Sequence, residues 1–184
     1  MVHSNTELLI DYWRGRRGSR PAPARADIDL AGFVELAPRV FIVERRPGGD
    51  LRFRLAGEAV AELHGGPLGG ASLLALWRAD HRQHLAAALD ATLQASRPLI
   101  VEATASALDG SPARVELVFA PLIGPSGQAD RFLGHCQLLG ERATPPLKPL
   151  VIASLAGAPR NAPPPGPRLA AVDGQRIAWT SASA

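Results

Sequence analysis

Helical and strand-like spacings of apolar residues alternate from Ser4 to about Gly140, and a proline-dense stretch follows. Leu8, Leu9, Tyr12 and Trp13 recur at helical spacing and predict a helix over Ser4 to Trp13. Ser4 is its expected N-cap, with Glu7 in the first turn, and Gly15 and Gly18 are the expected stop. Asp27 or Asp29 is placed to cap a short helix running through Phe33, Val34 and Leu36. Val40-Phe41-Ile42-Val43 is a short apolar run, and Leu51, Phe53 and Leu55 alternate with Arg52 and Arg54. Pro47-Gly48-Gly49-Asp50 between them is turn chemistry, so the pair predicts a β-hairpin.

A helical run comes next. Gly57 to Leu63 predicts a short helix closed by His64-Gly65-Gly66-Pro67, and Leu73, Leu74, Leu76 and Trp77 predict an apolar turn. Asp80 opens a longer helix carrying Leu85, Leu89 and Leu93, ended by Pro98. Three strand patterns follow, Leu99 to Leu108, Arg114 to Leu122 and Phe132 to Leu139, separated by Asp109-Gly110-Ser111-Pro112 and Gly124-Pro125-Ser126-Gly127-Gln128. The expectation is an α+β fold: a five-stranded antiparallel sheet, a helical insert between strands 2 and 3, and an N-terminal flanking helix.

The 184-residue length suits one folded unit, expected over residues 1–142. Residues 143–184 hold Pro145, Pro146, Pro149, Pro159, Pro163, Pro164, Pro165 and Pro167, and are expected to be a mostly disordered tail, dispensable for folding. Leu150, Val151, Ile152 and Leu155 are the tail's candidate for a short docked element. That tail also carries the whole net charge of +3, because Arg balances Asp plus Glu in residues 1–142. A basic face for nucleic acid is therefore not expected. The local cluster Arg14, Arg16, Arg17, Arg20 and Arg25 leaves binding of an anionic partner as the weakest alternative. No apolar run is long enough to span a membrane, and no signal-peptide pattern opens the chain, so a cytoplasmic setting without membrane insertion is expected.

Several runs, taken in order, resemble one branch of the PAS superfamily: the short, stand-alone PAS-like domains found mostly in alphaproteobacteria. Tyr12-Trp13 followed by Pro21-Ala22-Pro23-Ala24-Arg25-Ala26-Asp27-Ile28-Asp29 is similar to its opening motif. Leu36-Ala37-Pro38-Arg39-Val40-Phe41 resembles its entry into the first strand. Phe53-Arg54-Leu55-Ala56-Gly57, Leu68-Gly69-Gly70 and Asp130-Arg131-Phe132-Leu133-Gly134 resemble its second strand, its first loop and the start of its last strand. The resemblance covers about residues 7–142. It implies a sensory or interaction module, and the expected function is non-catalytic regulation through a small apolar ligand, contact with a signalling protein, or both. The apolar stripe of Leu8, Leu9, Tyr12 and Trp13 must dock on something, and the resemblance makes the outer sheet face of a homodimer the expected place, with these four as interface residues; capping of its own sheet by the stripe is the competing expectation.

A ligand pocket is expected between the sheet and the helical insert. Its candidate lining is Phe41, Phe53, Leu55, Leu63, Leu73, Leu76, Trp77, Leu85, Leu89, Val101, Leu117, Phe119 and Cys136. Simple filling of the core by these same residues is the competing expectation. His81 and His84 lie three apart on the long helix. With His64 and His135 they define the alternative of a haem- or metal-dependent sensor, although no complete ligand set is legible and no metal site is assigned. Cys136, the single cysteine, lies in the last strand pattern; light-sensing PAS relatives carry their adduct cysteine in an Asn-Cys-Arg-Phe-type motif on the helical insert, where this sequence has none, so the resemblance does not extend to a flavin–cysteine adduct. Gly65-Gly66-Pro67-Leu68-Gly69-Gly70 lacks the Gly-Lys-Ser/Thr ending of a phosphate loop. Ser72 has no nucleophile elbow, and Glu58, Glu62, Glu102 and Glu116 form no evident pair, so no catalytic constellation is expected.

Overall fold

The computed structural model describes residues 2–30, 34–140 and 143–157. Helix α1 (Ser4–Arg17) is followed by a 3₁₀ turn at Arg25–Asp27 and another at Ala37–Arg39, then strands β1 (Val40–Arg45) and β2 (Leu51–Ala56). The helical insert comprises α2 (Glu58–His64), a 3₁₀ turn at Leu73–Leu76, and α3 (Ala79–Ala95). Strands β3 (Leu99–Ser106), β4 (Pro112–Ile123), β5 (Ala129–Leu139) and β6 (Val151–Gly157) complete the chain's described part.

All six strands form one sheet in the order β2-β1-β5-β4-β3-β6, and every pairing is antiparallel. The α+β class, the helical insert and the flanking helix are as expected, but the sheet has six strands rather than five. The sixth comes from beyond the expected boundary at residue 142. The proline density of residues 145–149 masked it, yet Leu147 and Leu150 are completely buried, and β6 pairs with β3 from Leu99↔Gly157 to Thr104↔Val151. The folded unit thus extends through Gly157; residues 158–184 lie outside the described residues.

Alternation along the strands sorts the core into two layers. On the inner face, Phe41, Val43, Leu51, Phe53, Val101, Val115, Leu117, Phe119, Phe132 and Cys136 meet the insert residues Val60, Leu73, Trp77, Leu85 and Leu89. On the outer face, Val40, Ile42, Ile100, Val118, Ala120, Leu122 and Leu133 meet Leu9, Ile10 and Trp13 of α1.

Helix α1 is longer than its apolar stripe predicts. His3, not Ser4, caps it, accepting the Asn5 amide on Nδ1 at 3.1 Å. The helix passes through Gly15 and ends at Gly18, whose φ of 58° favours glycine. Arg16 lies 5.1 Å from the centre of the Tyr12 ring and Arg17 5.5 Å from that of Trp13, contacts that offset the roughly 1 kcal/mol cost of a mid-helix glycine. The short helix expected after Asp27 is replaced by turns in the described residues. Asp27 instead accepts the Ala24 amide at 2.9 Å and pairs with Arg20 at 2.7 Å, while Phe33 lies outside the described residues.

Gly134 sits opposite Phe41 on β1 and Phe119 on β4, and the Phe41 ring fills the space a Cβ at this position would need. Phe41 and Phe119 thereby meet edge to face, with centroids 5.5 Å apart. Gly134→Ala is expected to destabilise the protein by about 2 kcal/mol through overpacking. Adding Phe41→Leu should recover part of that loss in a double-mutant cycle of chemical unfolding. An alanine variant as stable as the parent would show that the ring moves aside freely.

Candidate functional site

The inner layer is built by three aromatic contacts and a helical roof. Phe41 meets Phe53 at 5.7 Å and Phe119 meets Phe132 at 5.8 Å, both edge to face, so the rings run as a continuous ridge across the sheet. Of the thirteen expected lining residues, Phe41, Phe53, Leu73, Trp77, Leu85, Leu89, Val101, Leu117, Phe119 and Cys136 are buried in this layer, with Leu63 and Leu76 packed at its margin. Leu55 is not there. A bulge shifts the register between Ile42↔Leu55 and Val43↔Phe53, turning Leu55 to the side of Ile42 and leaving it 39% exposed.

Two residues absent from that expected lining, Leu147 and Leu150, close the layer from the far side of the insert. The Leu147 amide donates to Leu63 O at 2.7 Å, Lys148 to Ser106 O at 3.1 Å, and Leu150 to Leu76 O at 2.9 Å. Arg78 donates back to Leu150 O at 2.9 Å, and Thr144 Oγ1 donates to Asp109 Oδ2 at 3.0 Å. This strap therefore ties α2, the 3₁₀ turn and β3 together. Its legible signal was the apolar pair three residues apart, standing between prolines.

Few polar atoms enter this interior. Trp77 Nε1 and His64 Nδ1 are both buried without a hydrogen-bond partner among the described groups. Burial holds the His64 imidazole down at about 4, with a hydrogen bond donated by the ring to the Leu147 backbone carbonyl opposing the shift and nearby Lys148 reinforcing it. The Cys136 thiol is fully enclosed and pushed up to about 12 by desolvation, which leaves it protonated and a poor nucleophile.

The histidines are not brought together. His135 lies on the outer face, opposite Val40 and Val118, fully buried with neither ring nitrogen partnered. Burial, then the neighbouring Arg39 and His3, hold it down at about 4. His81 Nε2 lies 2.8 Å from the Arg78 guanidinium, which also bonds Asp80, and His84 is exposed. No group of three or more potential metal ligands occurs among the described residues. Glu102 and Glu116 stand opposite each other on β3 and β4, but Arg114 bonds Glu102 at 3.0 Å, and buried Glu116 accepts the His3 amide at 3.1 Å. They do not form an acid–base couple over a cleft.

Two buried neutral histidines make stability depend on pH. Their folded values lie below the ordinary 6.5, so the unfolded chain binds more protons as pH falls. Their contribution is intact above about pH 6.5 and is lost progressively down to about pH 4, at a cost of up to about 3 kcal/mol each. Thermal midpoints are expected to fall across that window, and less steeply in His135→Gln than in the parent. Parallel curves would contradict this.

The basic cluster is engaged internally. Arg14 pairs with Asp11 at 2.9 Å, Arg20 donates to Arg16 O at 2.9 Å besides its bond to Asp27, and Arg25 donates to Ile28 O at 3.3 Å. Leu9 and Trp13 are buried against their own sheet, and Trp13 Nε1 donates to Pro121 O at 2.6 Å. Of the expected interface residues, Leu8 is exposed and Tyr12 half-buried, its hydroxyl donating to Asp29 O at 2.9 Å.

A β-hairpin, a helical insert and a three-strand meander in one antiparallel sheet, roofed on one face and crossed by a flanking helix on the other, define an α+β module with a single sheet. Residues 1–137 match the family described as PAS domain, and the chain belongs to that family. PAS domains are, as a family, sensory modules. Among solved structures, the Rhodobacter sphaeroides LOV protein is similar at 21% identity, covering 62% of this chain and 70% of that one, with a TM-score of 0.46. The RsLOV d2 variant is similar at 24% identity, covering 60% of this chain and 64% of that one, with a TM-score of 0.47. No curated protein matches. No described helix is long and apolar enough to cross a membrane.

Proposed function

We propose that this chain is a non-catalytic regulatory PAS module of the cytoplasm. In this reading it takes a small, largely apolar ligand between the inner sheet face and the helical insert, and passes its state to a signalling partner. The observation that carries this is the convergence of apolar side chains from both the sheet and the insert on one interior, whose sole thiol is held protonated. Such an interior favours ligands by desolvation rather than by charge. Homodimerisation belongs to the same reading, with the outward side of α1, at Leu8, as its contact in place of the buried Leu9 and Trp13.

Native mass spectrometry of gently extracted protein tests both parts. A retained organic mass on a two-chain species is the expected result. A bare, monomeric chain at high concentration would overturn the dimer and leave the ligand reading to titration. A Soret band in the absorption spectrum, lost on replacing one histidine, would replace it with a haem sensor.

A further inference from the structure

We infer that the strap of residues 143–157 is a built-in competitor for the interior: Leu147 and Leu150 hold the place of an aliphatic ligand bearing one neutral carbonyl, and entry of that ligand frees β6 from β3. This rests on the reading of the inner layer as a ligand site and adds what regulates it.

Leu147 and Leu150 are not part of the hairpin, insert and meander, yet both are fully buried among that unit's inner-layer residues. They arrive from a segment lying across the gap between Leu63 on α2, Leu76 on the 3₁₀ turn and Ser106 on β3. Aliphatic side chains from a segment added after the last meander strand thus fill the layer where the roof meets the sheet. Leu150 bridges Trp77 backbone to backbone, so it sits beside the indole.

The polar atoms at this place are ill matched to two leucines. Trp77 Nε1 is buried and unpartnered beside Leu150, and His64, whose single N–H is spent on the Leu147 carbonyl, offers no second donor. An indole N–H is a donor only, so the occupant that completes the site carries an acceptor. Desolvating a carboxylate in this apolar layer would be costly, which selects a ketone or ester carbonyl on a short aliphatic chain.

Release of β6 follows from how little else holds it. Ala153, Ser154, Ala156 and Gly157 are exposed, and Val151, Ile152 and Leu155 are only partly covered. Without the two leucines, β6 retains its ladder to β3 and only the partial packing of Ile152 and Leu155 against the inner layer. Ligand and strap then compete, and the coupling is reciprocal: weakening either strengthens the other.

The probes are 2-heptanone and toluene, the second matching the first in apolar character but lacking a carbonyl. Hydrogen exchange of the 151–157 peptide and calorimetry are read on the full chain. The expected result is that 2-heptanone speeds exchange in 151–157 as it saturates, and binds Leu150→Ala at least tenfold more tightly than the parent. Trp77→Phe should weaken 2-heptanone about fivefold and leave toluene unchanged. Binding of 2-heptanone to the parent with 151–157 fully protected would overturn the competition while leaving the ligand reading intact. Equal loss of both probes in Trp77→Phe would overturn the carbonyl assignment. No binding of either probe to the parent or to Leu150→Ala would overturn the ligand reading itself.

Discussion

Ending the chain at Gly140 is expected to lower the thermal midpoint by roughly 15 °C. The truncation removes two completely buried leucines, and each large-to-small change in a core costs about 2–5 kcal/mol. It also strips β3 of its ladder to β6 and leaves the carbonyls of Leu63, Leu76 and Ser106 without their strap donors. Taking about 5 kcal/mol for the sum, and roughly 3 °C per kcal/mol for a domain of this size, gives the stated shift. Calorimetric melts of the full chain, the 1–140 fragment and Leu150→Ala check it, with the single variant expected between the other two. A fragment melting within about 3 °C of the full chain would show that the inner layer closes without the strap.

Trp13→Ala is expected to cost about 4 kcal/mol by removing the largest side chain between α1 and the sheet. The Trp13 indole is fully enclosed, and its N–H donates to Pro121 O, which would lose that donor. The loss should appear in urea unfolding as a lower midpoint with little change in slope. It should be the same at low and high protein concentration, because the ring is buried within its own chain. A loss that grows on dilution would place Trp13 in a contact between two chains instead.

Local chemistry made most of this architecture readable, and the misreadings are local too. The hairpin was legible because Pro47-Gly48-Gly49-Asp50 separates two short apolar runs, and Gly48 and Gly49 do adopt φ values of 91° and 88°. The insert was legible from the Leu85, Leu89 and Leu93 stripe, all buried. Leu55 was misassigned because alternation assumes an unbroken register, and one bulge inverts every side chain beyond it. The end of α1 was misjudged because Gly15 weakens a helix without breaking it when arginines beyond it cover aromatic rings. Strand β6 was discounted because prolines were weighed by density, whereas their positions leave Val151 to Gly157 free to donate to β3. Most of the inner residues emerged from periodicity, but what they enclose did not: Trp77 Nε1 becomes informative only once its lack of a partner is seen.

The position of β6 at the end of the strand order bears on behaviour at high concentration as well as on folding. Its partner β3 opens with Leu99, Ile100 and Val101, all buried, an apolar and β-branched run of the kind that templates cross-chain stacking when its backbone is bare. At the opposite margin, the loop at Gly70 and Ala71 exchanges hydrogen bonds with Phe53 on β2. The chain therefore covers β3 with β6 and part of β2 with the 70–71 loop, using its own backbone. Conditions that detach the strap would expose a sticky β3 flank at the moment the interior opens, so aggregation onset is expected to track β6 release rather than global melting.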